Sequence, residues 1–355
     1  MIPVGNVRGK NGGTGASRTG RASRQRRAAL AGAVIGSAAG AVLAAALSAT
    51  AVASSYPSRP ITIIVPFSPG GGTDLLPRLF AERMHAEFGQ PVVIENVSGA
   101  GGTIGLARTA HAAPDGYTIV CGNWTTFVSN GAVYTTSYDV VADFEPVILL
   151  PGNPHVIVGR KDLPPANLAD LVTWLRANQD RVAMATSGVG TGGHFGGVLL
   201  QNLTGTHFPL VHYRGGGPAL QDLLAGHVDL MTNQIAVFLP FIPEGTLRVY
   251  AVLADRRLPQ TPELPTADEA GLPGFHVANW NGLWAPKGTP REAVERLNAA
   301  VAKIMADPDI VARLETLSYD IPPPSQLTPE ALGTLQKSEI AKWWPLIKAA
   351  GISAN

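Results

Sequence analysis

Four times along this chain a short apolar or β-branched run leads into a glycine-rich loop and then into apolar residues at helical spacing. The first instance is Pro60-Ile-Thr-Ile-Ile-Val-Pro66, a strand bounded by prolines. The loop Phe67–Asp74 follows, then Leu75, Leu76, Leu79, Phe80, Met84 and Phe88, until Gly89 stops the helix. The second instance is Pro91–Glu95, Gly99–Gly105 and Leu106–Ala112, after which an Asp115-Gly116 turn opens the strand Tyr117–Cys121. Strands and helices in alternation cover both faces of a sheet when the strands run mostly parallel, so the fold class is α/β.

The other two instances form a second set of the same design. They are Val182–Thr186, Ser187–Gly193 and the helix His194–Leu203, then Leu210–Tyr213, Arg214–Pro218 and the helix Ala219–Ala225. A helix over Ala169–Asn178 precedes them, and strands over Val228–Met231 and Leu247–Leu253 follow. Pro146–Leu150 and His155–Val158 mark the exit from the first set, and Phe275–Trp284 is a crossing segment. The remainder reads as helical and opens at Thr289-Pro290-Arg291-Glu292, with Thr289 as cap, Pro290 at the first helical position and Glu292 closing a capping box. Its helices are expected to return to the first lobe.

At 355 residues the chain is long enough for two domains after a leader is subtracted. Ala28–Ala53 carries no charge, follows a basic segment and ends in Ala51-Val52-Ala53, an A-x-A cleavage pattern. Residues 1–53 therefore read as a cleavable export signal to the periplasm. The route is Sec or, from Arg26-Arg27 before a weakly hydrophobic stretch, twin-arginine. Small residues and the cleavage site weigh against an uncleaved membrane anchor. Seven of the 27 Lys and Arg residues precede Ala28 and no Asp or Glu does, which leaves 20 cations against 26 acids. A net charge near −6 makes nucleic acid and anionic membranes poor partners, and any anionic ligand must be held by local donors. Cys121 is the only cysteine, which excludes an internal disulfide and any CxxC site.

Three of the loops, Pro69–Asp74, Ser187–Gly193 and Tyr213–Pro218, lie between a strand and a helix. Glycine lets the backbone approach a ligand, and the first turn of each helix offers unpaired N–H groups at the positive end of its dipole. Such a turn binds anions, and α/β sheets gather these loops at the carboxyl edge of the strands. Taken singly, each glycine loop reads equally as a tight turn. Gly188-Val-Gly-Thr-Gly-Gly193 fits G-x-G-x-x-G, but the next strand carries no acid for a ribose, so no nucleotide cofactor is expected. There is no G-x-S-x-G, HExxH or P-loop pattern, and the eight histidines do not cluster at metal spacing. His194 reads as a cap or packing residue, and Asp74 as an acceptor of N–H bonds at its helix start.

The residues also carry a family resemblance. Val65-Pro-Phe-Ser-Pro-Gly-Gly-Gly-Thr-Asp74, Glu95-Asn-Val-Ser-Gly-Ala-Gly-Gly102, Pro114-Asp-Gly-Tyr-Thr118, Tyr213-Arg-Gly-Gly-Gly-Pro-Ala219 and Trp280-Asn-Gly-Leu-Trp-Ala-Pro-Lys-Gly-Thr-Pro290 stand in order from about Tyr56 to the carboxyl end. In these stretches the chain resembles the Bug family, the substrate-binding proteins of tripartite tricarboxylate transporters. The resemblance implies a two-lobed periplasmic-binding-protein fold of type II form, each lobe a mostly parallel sheet flanked by helices, with the ligand cleft between lobes. The division expected is residues 56–156 and 277–355 in one lobe and 157–276 in the other.

The resemblance further implies a binding protein without catalytic residues, cofactor or metal, which closes on a small organic acid (a dicarboxylate, an aromatic acid or a related amide). It delivers that ligand to membrane permease subunits or, in some relatives, to a sensor kinase. A monomer suffices to complete such a cleft. By motif position Phe67, Ser68, Gly70, Gly71, Thr73 and Asp74 face one carboxylate, while Ser187, Thr191, Tyr213 and Arg214 approach from the other lobe. Asn123-Trp124-Thr125-Thr126 and Asn233-Gln234 depart from the family pattern. Asn123 and Asn233 are expected to bond amide or hydroxyl groups, and Trp124 either stacks on an aromatic acid or packs under its loop. The rival class is a secreted enzyme on a carboxylic acid, with His194 or Asp74 as base. Pro77 in the first helix is harmless if Asp74 is the cap, because the third helical position needs no partner for its nitrogen.

Overall fold

Alternation along the first strand sorts its side chains to two cores. In β1 (Ile61–Val65), Ile61, Ile63 and Val65 pack with Leu76, Phe80, Met84 and Phe88 of α1 (Gly72–Phe88), while Ile64 joins Leu106, Phe127 and Trp284 on the opposite face. Gly89, in the left-handed region at φ 65°, ends α1. The computed structural model describes residues 56–277, 279–349 and 351–354, so the export segment read in residues 1–53 lies outside the described residues.

After α1 come β2 (Val92–Asn96), α2 (Thr103–Ala110) and β3 (Thr118–Asn123), then a wide helical turn over Thr125–Ser129 continuing into α3 (Asn130–Val133), and β4 (Phe144–Leu150). The chain then crosses into β5 (His155–Arg160), α4 (Leu168–Asn178), β6 (Met184–Thr186), α5 (Gly192–Thr204), β7 (Leu210–His212), α6 (Gly216–Leu224), β8 (Leu230–Gln234) and β9 (Leu247–Val252). It returns through β10 (Asn281–Pro286) to α7 (Arg291–Met305), α8 (Pro308–Thr316) and α9 (Pro329–Ala349).

These elements build two five-stranded sheets, ordered β2-β1-β3-β10-β4 and β7-β6-β8-β5-β9. In each, one strand runs against the other four: β10 is antiparallel to β3 and β4, and β5 is antiparallel to β8 and β9. Both reversed strands are the ones the chain enters straight from a crossing between the sheets. Because they are reversed, their first residues lie at the carboxyl edge of their neighbours, with His155 opposite Gln234 and Asn281 opposite Asn123. In the second sheet Ile157 packs toward α4 and α5, and Val156 and Val158 toward α6, so this sheet too is covered on both faces.

Three local expectations are corrected. The cap of α1 is Gly71, not Asp74, so Pro77 is the sixth helical residue. Its missing N–H leaves the Thr73 carbonyl without the usual helical donor, and the Cys121 thiol lies 4.0 Å from that oxygen. The cap of α7 is Pro290 rather than Thr289, because the Thr289 hydroxyl donates 2.8 Å back to the Pro286 carbonyl in the preceding turn. Asn233 and Gln234 belong to β8 instead of following it, since pairing with β5 continues to the Gln234–His155 pair.

Candidate functional site: a cleft between the two sheets

Three helix N-termini open on one cleft between the sheets. Gly71, Thr191 and Gly215 cap α1, α5 and α6, each directly after the loop that leaves β1, β6 or β7. The cleft is lined from the first sheet by Phe67, Gly71, Gly72, Thr73, Asn123, Thr125 and Asn279, and from the second by His155, Ser187, Thr191, Gly192, Gly193, Gly216, Asn233 and Gln234. Its empty space is about 410 Å³ when the part open to solvent is included, and no Asp, Glu, Lys or Arg is among these residues.

Much of the hydrogen bonding around the cleft is accounted for, which identifies what is left for a ligand. In α1 the N–H groups of Asp74 and Leu75 reach the Gly71 carbonyl. In α5 the Thr191 hydroxyl accepts from His194 N and the Thr125 hydroxyl accepts from Gly192 N, both at 3.3 Å. Among the described residues the N–H groups of Gly72, Thr73 and Gly193 are left without a protein partner. A fourth donor is prepared by a relay. Asn123 Oδ1 accepts from Thr126 N at 3.2 Å, which turns Asn123 Nδ2 to donate 2.9 Å to Thr73 Oγ1. The Thr73 oxygen is then an acceptor, and its own proton is free to point at a ligand. With about half a positive charge at each helix start, the cleft attracts an anion without containing a cation.

The loops from the two sheets touch over this cleft. Ser68 Oγ donates 3.0 Å to the Arg214 carbonyl, Ser129 Oγ 2.8 Å to Gly190 O, and Tyr134 OH 2.9 Å to Val189 O. Glycine permits this approach: a Cβ on Gly217 would stand 2.3 Å from the Pro69 carbonyl. This is a closed arrangement.

A family model described as the tripartite tricarboxylate transporter family receptor matches residues 76–352. The chain belongs to that family. Three solved structures are similar over nearly their whole length. The periplasmic binding protein BugD is 38% identical, with TM-score 0.80 over 84% of this chain and 99% of that one. MatC from Rhodopseudomonas palustris, with bound malate, is 40% identical, with TM-score 0.78 over 82% and 100%. A second R. palustris protein, solved with adipate, is 35% identical, with TM-score 0.79 over 84% and 99%.

Of the residues singled out in the receptor's sequence, Phe67, Gly71, Thr73, Asn123, Ser187, Thr191 and Asn233 meet at the cleft. Ser68, Gly70, Asp74, Tyr213 and Arg214 do not line it. Ser68 and Arg214 make the contact between the loops, and the Arg214 side chain is exposed. Tyr213 turns its hydroxyl away from the cleft, donating 2.5 Å to Asp222 on α6. Asp74 lies under its loop, accepting from Gly70 N and Arg78 Nε, both at 2.9 Å, and from Asn96 Nδ2 at 2.7 Å. Burial pushes its carboxyl up, but the bonds from Arg78, Asn96 and Gly70 and the Arg78 charge together hold it below the usual carboxylate range. Trp124 is not a cleft residue. Its indole N–H donates to Glu339 and its ring packs edge-on against Phe195 and Trp343, in an apolar pocket beside the cleft.

Gly72, Thr125, Gly192, Gly193 and Gly216 also line the cleft and sit in the stretches the sequence marks, but His155 and Asn279 carried no signal. A lone histidine in an apolar strand reads as core. Burial pushes the His155 imidazole down to about 4, against the pull of the Val277 carbonyl, so the ring is neutral near pH 7. His194 faces its own loop, where Nδ1 accepts from Gly190 N at 3.0 Å, and burial followed by the neighbouring His212 lowers it to about 4.

Proposed function

We propose that this receptor captures a small organic carboxylate in the periplasm by closing its lobes, and hands it to the membrane subunits of a tripartite tricarboxylate transporter. One observation carries the reading: unpaired backbone N–H groups of α1 and α5, from opposite sheets, and the prepared Thr73 hydroxyl converge on a cleft without charged side chains. A carboxylate offers acceptors in the number and charge these donors need. The malate and adipate in two similar structures support this ligand class. The segment ending at Ala53 supplies the export signal, and the lobes divide near residues 157 and 277. Asn153 is the pivot between them, donating 2.9 Å to the Leu317 and Ser318 carbonyls and accepting 3.0 Å from Ala236 N.

The test is a thermal-shift screen of the chain from Tyr56 to Asn355 against aliphatic, aromatic and hydroxy acids and their amides, with product analysis on each hit. A saturable rise in midpoint with the acid recovered intact is expected. Conversion of the acid, or no response to any of them, overturns the reading.

A further inference from the structure

The first turn of α1 is held from the core as well as from its loop. Tyr319 is 5% exposed, shares a core with Leu76, Phe80 and Cys121, and donates 3.2 Å from its hydroxyl to the Gly72 carbonyl. Helical pairing gives that carbonyl to Leu76 N, so the phenol takes its second lone pair. The Gly72 carbonyl and the Thr73 N–H belong to one trans peptide group, in which the two are coplanar and point in opposite directions. A hydroxyl that holds the oxygen from the core therefore aims the Thr73 N–H away from the core. Thr73 lines the cleft, and its N–H is one of those left without a protein partner.

Tyr319 has little freedom to follow that turn if it shifts. It stands just past the end of α8, where Ser318 has φ 59°, Ser318 N donates 2.8 Å to the Glu315 carbonyl and Tyr319 N donates 2.9 Å to the Leu314 carbonyl. This is a Schellman ending with serine where glycine is usual, and it packs the residue after the left-handed one against the last turns of the helix. Leu314 and Tyr319 accordingly share the first core. The backbone on both sides is tied to the crossing between the sheets. Asn153 Nδ2 donates to the Leu317 and Ser318 carbonyls, and Gly152 and Asp320 exchange backbone bonds of 3.0 and 2.8 Å. The segment after β9 holds the same corner, with Arg256 pairing with Asp320 at 2.5 Å and the Ser318 hydroxyl donating 3.3 Å to Gln260.

We infer that Tyr319 is a positioning residue for ligand binding: without touching the ligand, its hydroxyl sets the Gly72–Thr73 peptide so that the Thr73 N–H faces the cleft. The inference rests on the carboxylate reading above and deepens it. A bond that only supports the fold changes stability, whereas a bond that aims a donor also changes the affinity of chains already folded.

The experiment compares two variants by isothermal titration with malate, adipate and benzoate, using the chain from Tyr56 to Asn355, and by thermal melting without ligand. Tyr319→Phe removes the hydroxyl and leaves the Gly72 carbonyl its helical donor. Tyr250→Phe is the control: its hydroxyl is also buried, donates 3.3 Å to the Pro165 carbonyl within the second lobe, and leaves that carbonyl the Arg248 guanidinium. Both variants are expected to melt lower. For the best-bound acid, Tyr319→Phe is expected to lose about three- to tenfold in affinity, the worth of one hydrogen bond, and Tyr250→Phe to lose none. Unchanged affinity in Tyr319→Phe, or an equal loss in both variants, overturns the inference and leaves the carboxylate reading standing. Binding of none of the three acids to the unaltered chain overturns both.

Discussion

Thr73 depends on a neighbour to be a donor. Its hydroxyl oxygen is occupied by Asn123 Nδ2, so only its proton faces the cleft. Thr73→Val keeps the shape, removes that proton and leaves the buried Asn123 Nδ2 without its acceptor, so ligand affinity is expected to fall about tenfold by titration and the melting midpoint to drop with it. Asn123→Ala frees the hydroxyl to rotate and gives a smaller loss. His155 offers a pH test. Its folded pKa of about 4 lies below the ordinary 6.5, so the unfolded chain binds the proton first. Full stability is therefore present above pH 6.5 and is lost as pH falls toward 4, at up to about 1.4 kcal/mol per unit for this one group. His194 is shifted the same way. Thermal melts between pH 7 and 4.5 are expected to show a shallower decline for His155→Asn than for the unaltered chain. An equal slope would remove His155 from the account.

The start of α1 is held from below. Asp74 joins the Gly70 N–H, the Arg78 guanidinium and the end of β2 through Asn96, whose amide also donates 2.9 Å to the Phe67 carbonyl. The carboxylate does not touch a ligand; it fixes the loop and the helix whose N–H groups do. Asp74→Ala leaves three donors without an acceptor, and a loss on the order of 2 kcal/mol in denaturant melts is expected together with weaker binding. Thr73→Val strands one buried donor, that of Asn123, where Asp74→Ala strands three, so the smaller loss of stability is expected for Thr73→Val. Asp74 reads from the sequence as an acceptor at a helix start, which is its role here. Its partners were not legible, because Asn96 is brought to it by the pairing of β1 with β2.

Closure rests on backbone meeting backbone. Gly217, the second residue of α6, has no room for a side chain against the Pro69 carbonyl 2.3 Å from its hypothetical Cβ. Gly217→Ala is expected to fold normally but to stop short of closure, with at least a tenfold loss of affinity and no ligand-induced compaction in solution scattering. Trp124 reports the same motion. It is 4% exposed, with its ring 5.2 Å from Phe195 on α5 and 5.3 Å from Trp343 on α9, so opening the lobes separates it from Phe195. Adding ligand to the unaltered chain is expected to shift tryptophan emission to shorter wavelength, and Gly217→Ala to lose that shift.

The order of strands, glycine loops and helices was legible in the chain because period and turn chemistry are local properties. The same locality marked Phe67, Gly71, Thr73, Asn123, Ser187, Thr191 and Asn233, each beside a strand end. Which way a side chain turns is not local. Tyr213 goes to Asp222, Arg214 to solvent and Trp124 to the neighbouring apolar pocket, each drawn by partners that only packing supplies. His155 and Asn279 came to the cleft by a further route. They stand at or just before the first residues of the two reversed strands, and reversal carries a strand's beginning to the edge where its neighbours end. The sequence by itself determined the α/β class and the helix starts that attract an anion. The tertiary structure decided which polar groups face that anion, because two crossings of the chain bring residues distant in sequence to one edge.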